Sequence, residues 1–408
     1  MPQILLVNPF SSAKYVSNRF REYNVTTVAL YTTDLAKQPA YIRPNSDLFD
    51  LQIKFQSDNI ADIITSLGER KFDYVINGFE GSVELSDNLA KYFTPQYANN
   101  PQNYLLRSDK YQMHKTLAQK NLPHIQQILY DTHDILPEIE KYSLNYPCFV
   151  KPLVSAASIG ANKISNLPEL QNYFKNTDNH KNFCQLSNNE HKYLISEYVN
   201  GLELFVDTFS INGHHHVSTI QRYHKNLLNG RPLYYYVEME YDVMVQELVN
   251  EYITETLDAL EFNNGFAHTE MFLLSDNTLK LIEVNPRVSG AGGVINKMSL
   301  LSSGTDQISL LMKYVFNHKL PHGDNKYSRC LMLYNLSTKP LRNLQNNLKQ
   351  YSSVYEVLQL VPDGQITKSL DNITLADSVA FVMLRSNDLT AIEKDTDNIF
   401  TKDKLGWE

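Results

Sequence analysis

The sequence predicts a multidomain protein of mixed class, α/β at its N-terminus and α+β beyond. Three observations carry that reading. Short apolar runs alternate with helix-forming stretches through the first hundred or so residues, in "QILLVNPFSS", "TTVALYTTD" and "FDYVINGFEG". A helix and then two apolar strands around a loop of small residues follow, in "RSDKYQMHKTLAQKNLP" and "YPCFVKPLVSAASIGANKI". After them the chain becomes strand-rich, with Asn212-Gly213 as a hairpin turn signal. The expected units are an N-terminal parallel α/β domain over 1–105, a small α+β lobe over 106–195, a larger antiparallel lobe over 196–319 and an accessory lobe over 320–408.

Alternating α/β units build parallel sheets whose ligands sit at the C-terminal ends of the strands. Asn8 to Ser12 and Asn77 to Gly81 are therefore candidate pocket loops. In the next helix Ser108 is the expected N-cap, Met113, Leu117 and Leu122 form an apolar stripe, and Pro123 stops it. The small-residue loop Ser155 to Gly160 leaves an apolar strand that ends in Lys151. Backbone N–H groups of such a loop, with Ser158 and Gly160 among the contacts, can cradle phosphates while a strand-anchored lysine adds a point charge. Lys110, in the first turn of the preceding helix, is a second cationic candidate.

The 408 residues are 42% hydrophobic, enough for full cores, and the formal charge of -8 disfavours a general nucleic-acid binder. Any bound anion must meet a local basic site. Cys148, Cys184 and Cys330 are far apart and form no CxxC, so they read as buried thiols in a reducing compartment. "MPQILLVNPF" is too short an apolar run for a signal peptide or a membrane span, and a cytoplasmic protein without a membrane partner is expected. A homodimer is the default assembly for such a protein.

The densest chemistry lies in "FAHTEMFLL" and "LKLIEVNPRVSGAGG", joined by the turn "SDNT". If Leu274 pairs with Leu279 across that turn, Glu270 faces Glu283. Two opposed carboxylates repel unless a cation lies between them. Asn285 shares the face of Glu283, because side-chain direction has period two. Two acids and an amide oxygen make a hard-oxygen site for Mg²⁺, which takes carboxylates completed by water and phosphates. Arg287 adds a positive fork suited to phosphate or carboxylate. An acidic solvated hairpin and a glycosidase-type carboxyl pair are the competing readings. No Walker loop, Rossmann fingerprint, nucleophile elbow, H-E-x-x-H or EF-hand loop occurs.

"RSDKYQMHKTLAQKNLP", "YPCFVKP", "ISEYVNGLE", "HTEMFLL" and "LIEVNPRVSG" resemble, in that order, the successive motifs of the ATP-grasp superfamily. "INGFEGSVELSDNLA", "RYHK" and "HTE" with "IEVNPR" are similar to its L-amino-acid ligases, which join two amino acids into a dipeptide. The resemblance implies an ATP-grasp fold and an ATP-dependent carboxylate–amine ligase using Mg²⁺, with Mn²⁺ as a substitute. It implies that Lys110 and Lys151 hold the ATP phosphates, that Glu197 and Val199 meet the adenine edge, and that Glu203 binds the ribose. Glu270, Glu283 and Asn285 would be the metal ligands, with Arg287 beside the transferred phosphate and Ser289 to Gly293, beginning with Ser289 and Gly290, facing the second substrate. Glu84, Arg222, Lys225 and His268 are further substrate-pocket candidates, although His268 could equally fill the core. The loop Ser155 to Gly160 would close as a lid over a labile acyl phosphate. The alternatives are an ATP-grasp ligase for a different acid and amine, and an ATP-binding module without ligase activity. "HHH", His214 to His216, is expected to be surface.

Overall fold

The computed structural model describes residues 1–10, 12–32, 48–55, 59–153, 160–175, 191–228, 231–336, 339–366, 373 and 375–403. The N-terminal unit contains β1 (Gln3–Val7), α1 (Ala13–Glu22), β2 (Thr26–Tyr31), β3 (Leu51–Lys54), α2 (Ile60–Leu67), β4 (Tyr74–Asn77) and α3 (Val83–Phe93). Its four strands are parallel in the order β3-β2-β1-β4. Ile4 to Val7 are buried from both sides, which is why that strand reads as an unbroken apolar run. The chain winds outward from β1 and then returns to its other side at β4, so the switch point falls between the loops after β1 and β4. These loops touch. A Cβ on Gly78 would lie 2.6 Å from the Pro9 Cα, an approach only glycine permits.

Next come α4 (Leu105–Ser108) and α5 (Lys110–Gln119). The expected N-cap is corrected here: Ser108 ends the short α4, and Asp109 caps α5 by accepting the Gln112 N–H. The small lobe is an antiparallel sheet of β5 (Gln127–Asp131), β6 (Cys148–Pro152), β7 (Asn162–Ile164) and β8 (Lys192–Glu197), ordered β5-β8-β6-β7, with α6 (Leu167–Lys175).

An eight-stranded sheet dominates the remainder. It comprises β9 (Leu202–Ile211), β10 (His214–Leu228), β11 (Arg231–Met239), β12 (Gly265–Leu273), β13 (Leu279–Asn285), β14 (Tyr327–Leu333), β15 (Val354–Gln359) and β16 (Ala380–Ser386). Its helices are α7 (Val243–Ala259), α8 (Val294–Ser303), α9 (Gln307–Phe316), α10 (Leu344–Leu348) and α11 (Leu389–Asp403). The strand order is β13-β12-β9-β10-β11-β14-β16-β15, so the strands beyond residue 320 continue the sheet of the large lobe through the β11–β14 pairing. Asn212 and Gly213 both have positive φ, as a two-residue hairpin turn between β9 and β10 requires.

One sheet face packs on α7, where Val249, Ile253 and Leu257 repeat every four residues against Leu204, Val206, Met271 and Leu281. Each fully buried side chain of this kind contributes about 1.5–3 kcal/mol. The opposite face carries Glu203, Phe205, Asp207, His268 and Glu270, as the register Glu270↔Phe205 and His268↔Asp207 dictates. The N-terminal unit is locked to this lobe through Arg107 of α4, which pairs with the buried Asp87 at 2.7 Å and donates to the Glu261 carbonyl at 3.2 Å, by Asn99 donating to the Asn264 carbonyl, and by Tyr15 and Arg19 on Asp306.

The histidine run departs from expectation. His214 is exposed, but the His215 ring is enclosed between Ser210 Oγ at 2.7 Å and Asp258 at 3.2 Å, and His216 stacks on Tyr314. Cys148 and Cys330 are buried, and burial raises both thiols, to about 11 and about 12. Cys184 lies outside the described residues. No helix among the described residues is long and apolar enough to cross a membrane.

Candidate active site

Glu270 and Glu283 do face each other across β12 and β13, but not by the pairing expected at the turn. Leu273, not Leu274, opposes Leu279, and the register would bring Ile282 opposite Glu270. A β-bulge between Glu270 and Met271 corrects it: Met271 pairs with Leu281 and Glu270 with Glu283, leaving Ile282 as the extra residue. His268 then opposes Asn285.

Cations from three parts of the chain converge on these acids. Lys110 Nζ, from the first turn of α5, lies 2.9 Å from Glu283 Oε2. Asn285 Nδ2 donates to Glu283 Oε1 at 3.2 Å. Burial pushes the Glu283 carboxyl up, but Lys110 and Lys151 outweigh it and hold the group at about 2. Lys151, on β6, is held below its usual value by burial and by Lys110, even though Glu283 and Glu270 favour its charge. Among the described residues Lys151 makes no ion pair. Burial opposes the His268 charge, yet Asp207 at 2.7 Å and Glu270 at 3.4 Å prevail and raise it to about 9. Tyr223 OH donates to Glu270 Oε1 at 3.4 Å.

The N-terminal unit closes the site from above. Arg287 pairs with Glu80, from the turn that follows β4. Asn77, at the end of β4, donates to the Pro286 carbonyl at 2.8 Å while its own oxygen accepts from Ser86 Oγ at 2.8 Å. From the β1 loop, Ser12 Oγ donates to the Ser289 carbonyl at 2.5 Å. Gly293, at positive φ, sits so close to α1 that a Cβ would meet the Tyr15 Cβ at 2.2 Å. Both predicted pocket loops thus reach the Arg287 segment.

Several expected contacts are corrected. Glu84 is exposed on α3, and the acid at the site is Glu80, four residues earlier in the same motif. Arg222 is on the opposite sheet face, pairing with Glu240 at 2.5 Å, because Leu204 opposes it in register. His224 is there too, on Glu238. Ser289 is fully buried, with Asn296 donating to its Oγ and its N–H donating to Gln307, so its side chain cannot reach a ligand. Gly290 is half-buried in the adjoining turn. Lys225 does lie on the acidic face, but it pairs with Glu203, which Tyr234 OH also contacts at 3.4 Å. Glu197 pairs with Lys280 and accepts the Gln126 N–H, with Val199 half-buried just beyond it. Gly160 packs on Pro152 and accepts from Tyr173 OH at 2.6 Å, while Ser158 and the rest of its loop back to Ser155 lie outside the described residues.

Among the described residues no group of three or more His, Cys, Asp or Glu side chains is arranged to hold a metal. A cation here would rest on two carboxylates, the Asn285 amide, water and phosphate oxygens, a donor set that suits Mg²⁺.

A family model described as "ATP-grasp domain" matches residues 144–295. Among solved structures, the L-amino acid ligase from Bacillus licheniformis superposes with a TM-score of 0.75 at 16% identity, over 98% of this chain and 97% of its own. N5-carboxyaminoimidazole synthetase from Staphylococcus aureus, complexed with ADP, gives 0.70 at 17% over 98% and 97%. The biotin carboxylase domain of the Hydrogenobacter thermophilus 2-oxoglutarate carboxylase, with MgADP, gives 0.63 at 12% over 96% and 88%. Comparison with curated protein sequences finds no match. Residues 144–295 match the ATP-grasp domain model, and the chain as a whole has the ATP-grasp fold.

Proposed function

We propose that the protein is an ATP-dependent ligase that joins two L-amino acids through an acyl phosphate, releasing ADP and phosphate. The observation that carries the reading is the convergence of Lys110, Lys151 and Arg287, from three segments, on the opposed acids Glu270 and Glu283. Isolated acid pairs do not need three cations. Phosphoryl transfer does, because charge spreads over the equatorial oxygens of the moving group.

In the first step a substrate carboxylate oxygen attacks the γ-phosphoryl group and ADP leaves. Lys110 and Lys151 hold the phosphates, and the Arg287 fork takes the oxygens of the transferred group. Glu197 and Val199 meet the adenine edge, and Glu203 receives the ribose. Glu270, Glu283 and Asn285 would hold Mg²⁺, which would supply positive charge to the phosphates. In the second step the amine attacks the acyl carbon, phosphate departs and the amine loses a proton. No protein nucleophile is needed.

The Glu80–Arg287 pair supports amino acids as substrates. A zwitterion can insert into such a pair, its carboxylate taken by the arginine and its ammonium by the glutamate. A ligase for another acid and amine is the second reading, favoured by the similar superposition on N5-carboxyaminoimidazole synthetase. Hydroxylamine trapping tests the chemistry: with ATP and an amino acid, an aminoacyl hydroxamate should accumulate in step with ADP. ADP release without hydroxamate for every amino acid would reject the first reading.

A further inference from the structure

The bulge at Ile282 is what brings Glu270 opposite Glu283, and a bulge leaves backbone groups outside the ladder. The Ile282 carbonyl has a partner from a distant helix: His114 Nε2 lies 3.2 Å from it. His114 is buried on α5, one turn beyond Lys110, so both side chains leave the same helix face. Lys110 reaches the Glu283 carboxylate and His114 the carbonyl just before it.

The ring can only donate there. Its Nδ1 accepts the Ile125 N–H at 3.2 Å, which puts the single proton of a neutral imidazole on Nε2, pointing at Ile282. Burial, with the charge of Lys151, lowers this histidine to about 3, so it stays neutral through the ordinary pH range. A half-buried carbonyl left without that donor would lose its protein hydrogen bond. Restoring a regular ladder would turn Ile282 toward Glu270 and Glu283 away from it.

We propose that His114 is a positioning residue that holds the Ile282 bulge and thereby keeps Glu270 and Glu283 opposed as a cation-binding pair. Its partners come from β13 and from the segment before β5, so it ties the acids to the same helix that carries Lys110. The inference rests on the reading of Glu270 and Glu283 as metal ligands.

The test compares His114→Leu, which removes donor and acceptor, with His114→Gln, whose amide offers one of each. Mn²⁺ binding to the full-length protein with ADP, followed by water-proton relaxation, reads the site without turnover. His114→Leu should weaken Mn²⁺ at least tenfold, leave metal-free ADP affinity within twofold, and lower kcat by a similar factor. His114→Gln should stay within about threefold of the wild type. If the leucine variant does not fold, His114→Asn, polar but with a different reach, takes its place with the same expected loss.

Equal Mn²⁺ affinity in all variants, or an equal loss in the leucine and glutamine variants, would overturn the proposal. Glu270→Gln and Glu283→Gln separate the two levels. If they abolish Mn²⁺ binding while His114→Leu does not, only the role of His114 falls. If they leave Mn²⁺ binding intact, the metal assignment falls and this inference with it.

Discussion

Replacing Glu283 by glutamine removes one negative charge from the hub of the site with almost no change in shape. The carboxyl is held at about 2, against 4.5 for an ordinary glutamate, mainly because Lys110 and Lys151 outweigh its burial. At about 1.4 kcal/mol per unit, that shift corresponds to roughly 3 kcal/mol of stabilisation at neutral pH. The folded value is depressed, so the contribution is complete above about pH 4.5 and is lost as pH falls through about 2. By pH 3 linkage leaves less than half of it. Denaturant unfolding of the wild type and Glu283→Gln, followed by circular dichroism at several pH values, should give a difference of roughly 3 kcal/mol at pH 7 that falls by more than half by pH 3. The glutamine variant should also bind ATP yet not turn it over. A difference below about 1 kcal/mol at pH 7, or one that does not change with pH, would refute the electrostatic argument.

Glu80→Gln should lower kcat/KM for the amino-acid substrate at least tenfold while Glu84→Gln stays near wild type, and equal effects would return Glu84 to the site. Arg287→Ala should reduce kcat strongly, whereas an effect confined to KM would make Arg287 a ground-state binder. Arg222→Ala leaves the buried Glu240 carboxylate unpaired, so about 3–5 kcal/mol of stability should be lost with substrate KM unchanged; a selective rise in KM would contradict its placement away from the acids. Gly293→Ala puts a Cβ against Tyr15 at a positive φ, and a loss of both thermal stability and turnover is expected.

Much of this architecture was legible because the signals are local. The apolar run of β1 and the Asn-Gly turn each announce an element through their own residues. The opposed acids could also be read, but only because a wrong turn register and an unseen bulge compensated each other. That bulge is supported by His114, 168 residues away in the chain, and no short-range pattern reports such a contact. Glu84 and Glu80 sit in the same short motif, where residue type alone does not separate them. Glu80 lies in the very loop that the end of β4 marks as a pocket loop, so strand geometry was the better guide. Arg222 and Lys225 look alike in sequence, yet three residues apart on β10 they face opposite sides by strand alternation, the register shift beside them falling on β11 at Tyr235. Ser289 enters only through the resemblance, as the start of a turn facing the second substrate, and its burial depends on Gln307 and Asn296 packing from two helices. The accessory strands join the large sheet by the pairing of β11 with β14, across an intervening stretch that contains β12 and β13. Long-range pairing of that kind leaves no periodic trace.

The most direct test of the central claim incubates the purified protein with ATP, Mg²⁺ and pooled L-amino acids, follows phosphate release and identifies products by mass spectrometry. The account predicts ADP, phosphate and a product whose mass is that of two amino acids less one water, formed in equal amounts. Phosphate release that no amino acid stimulates, or none from any pool despite measurable ATP binding, would contradict it.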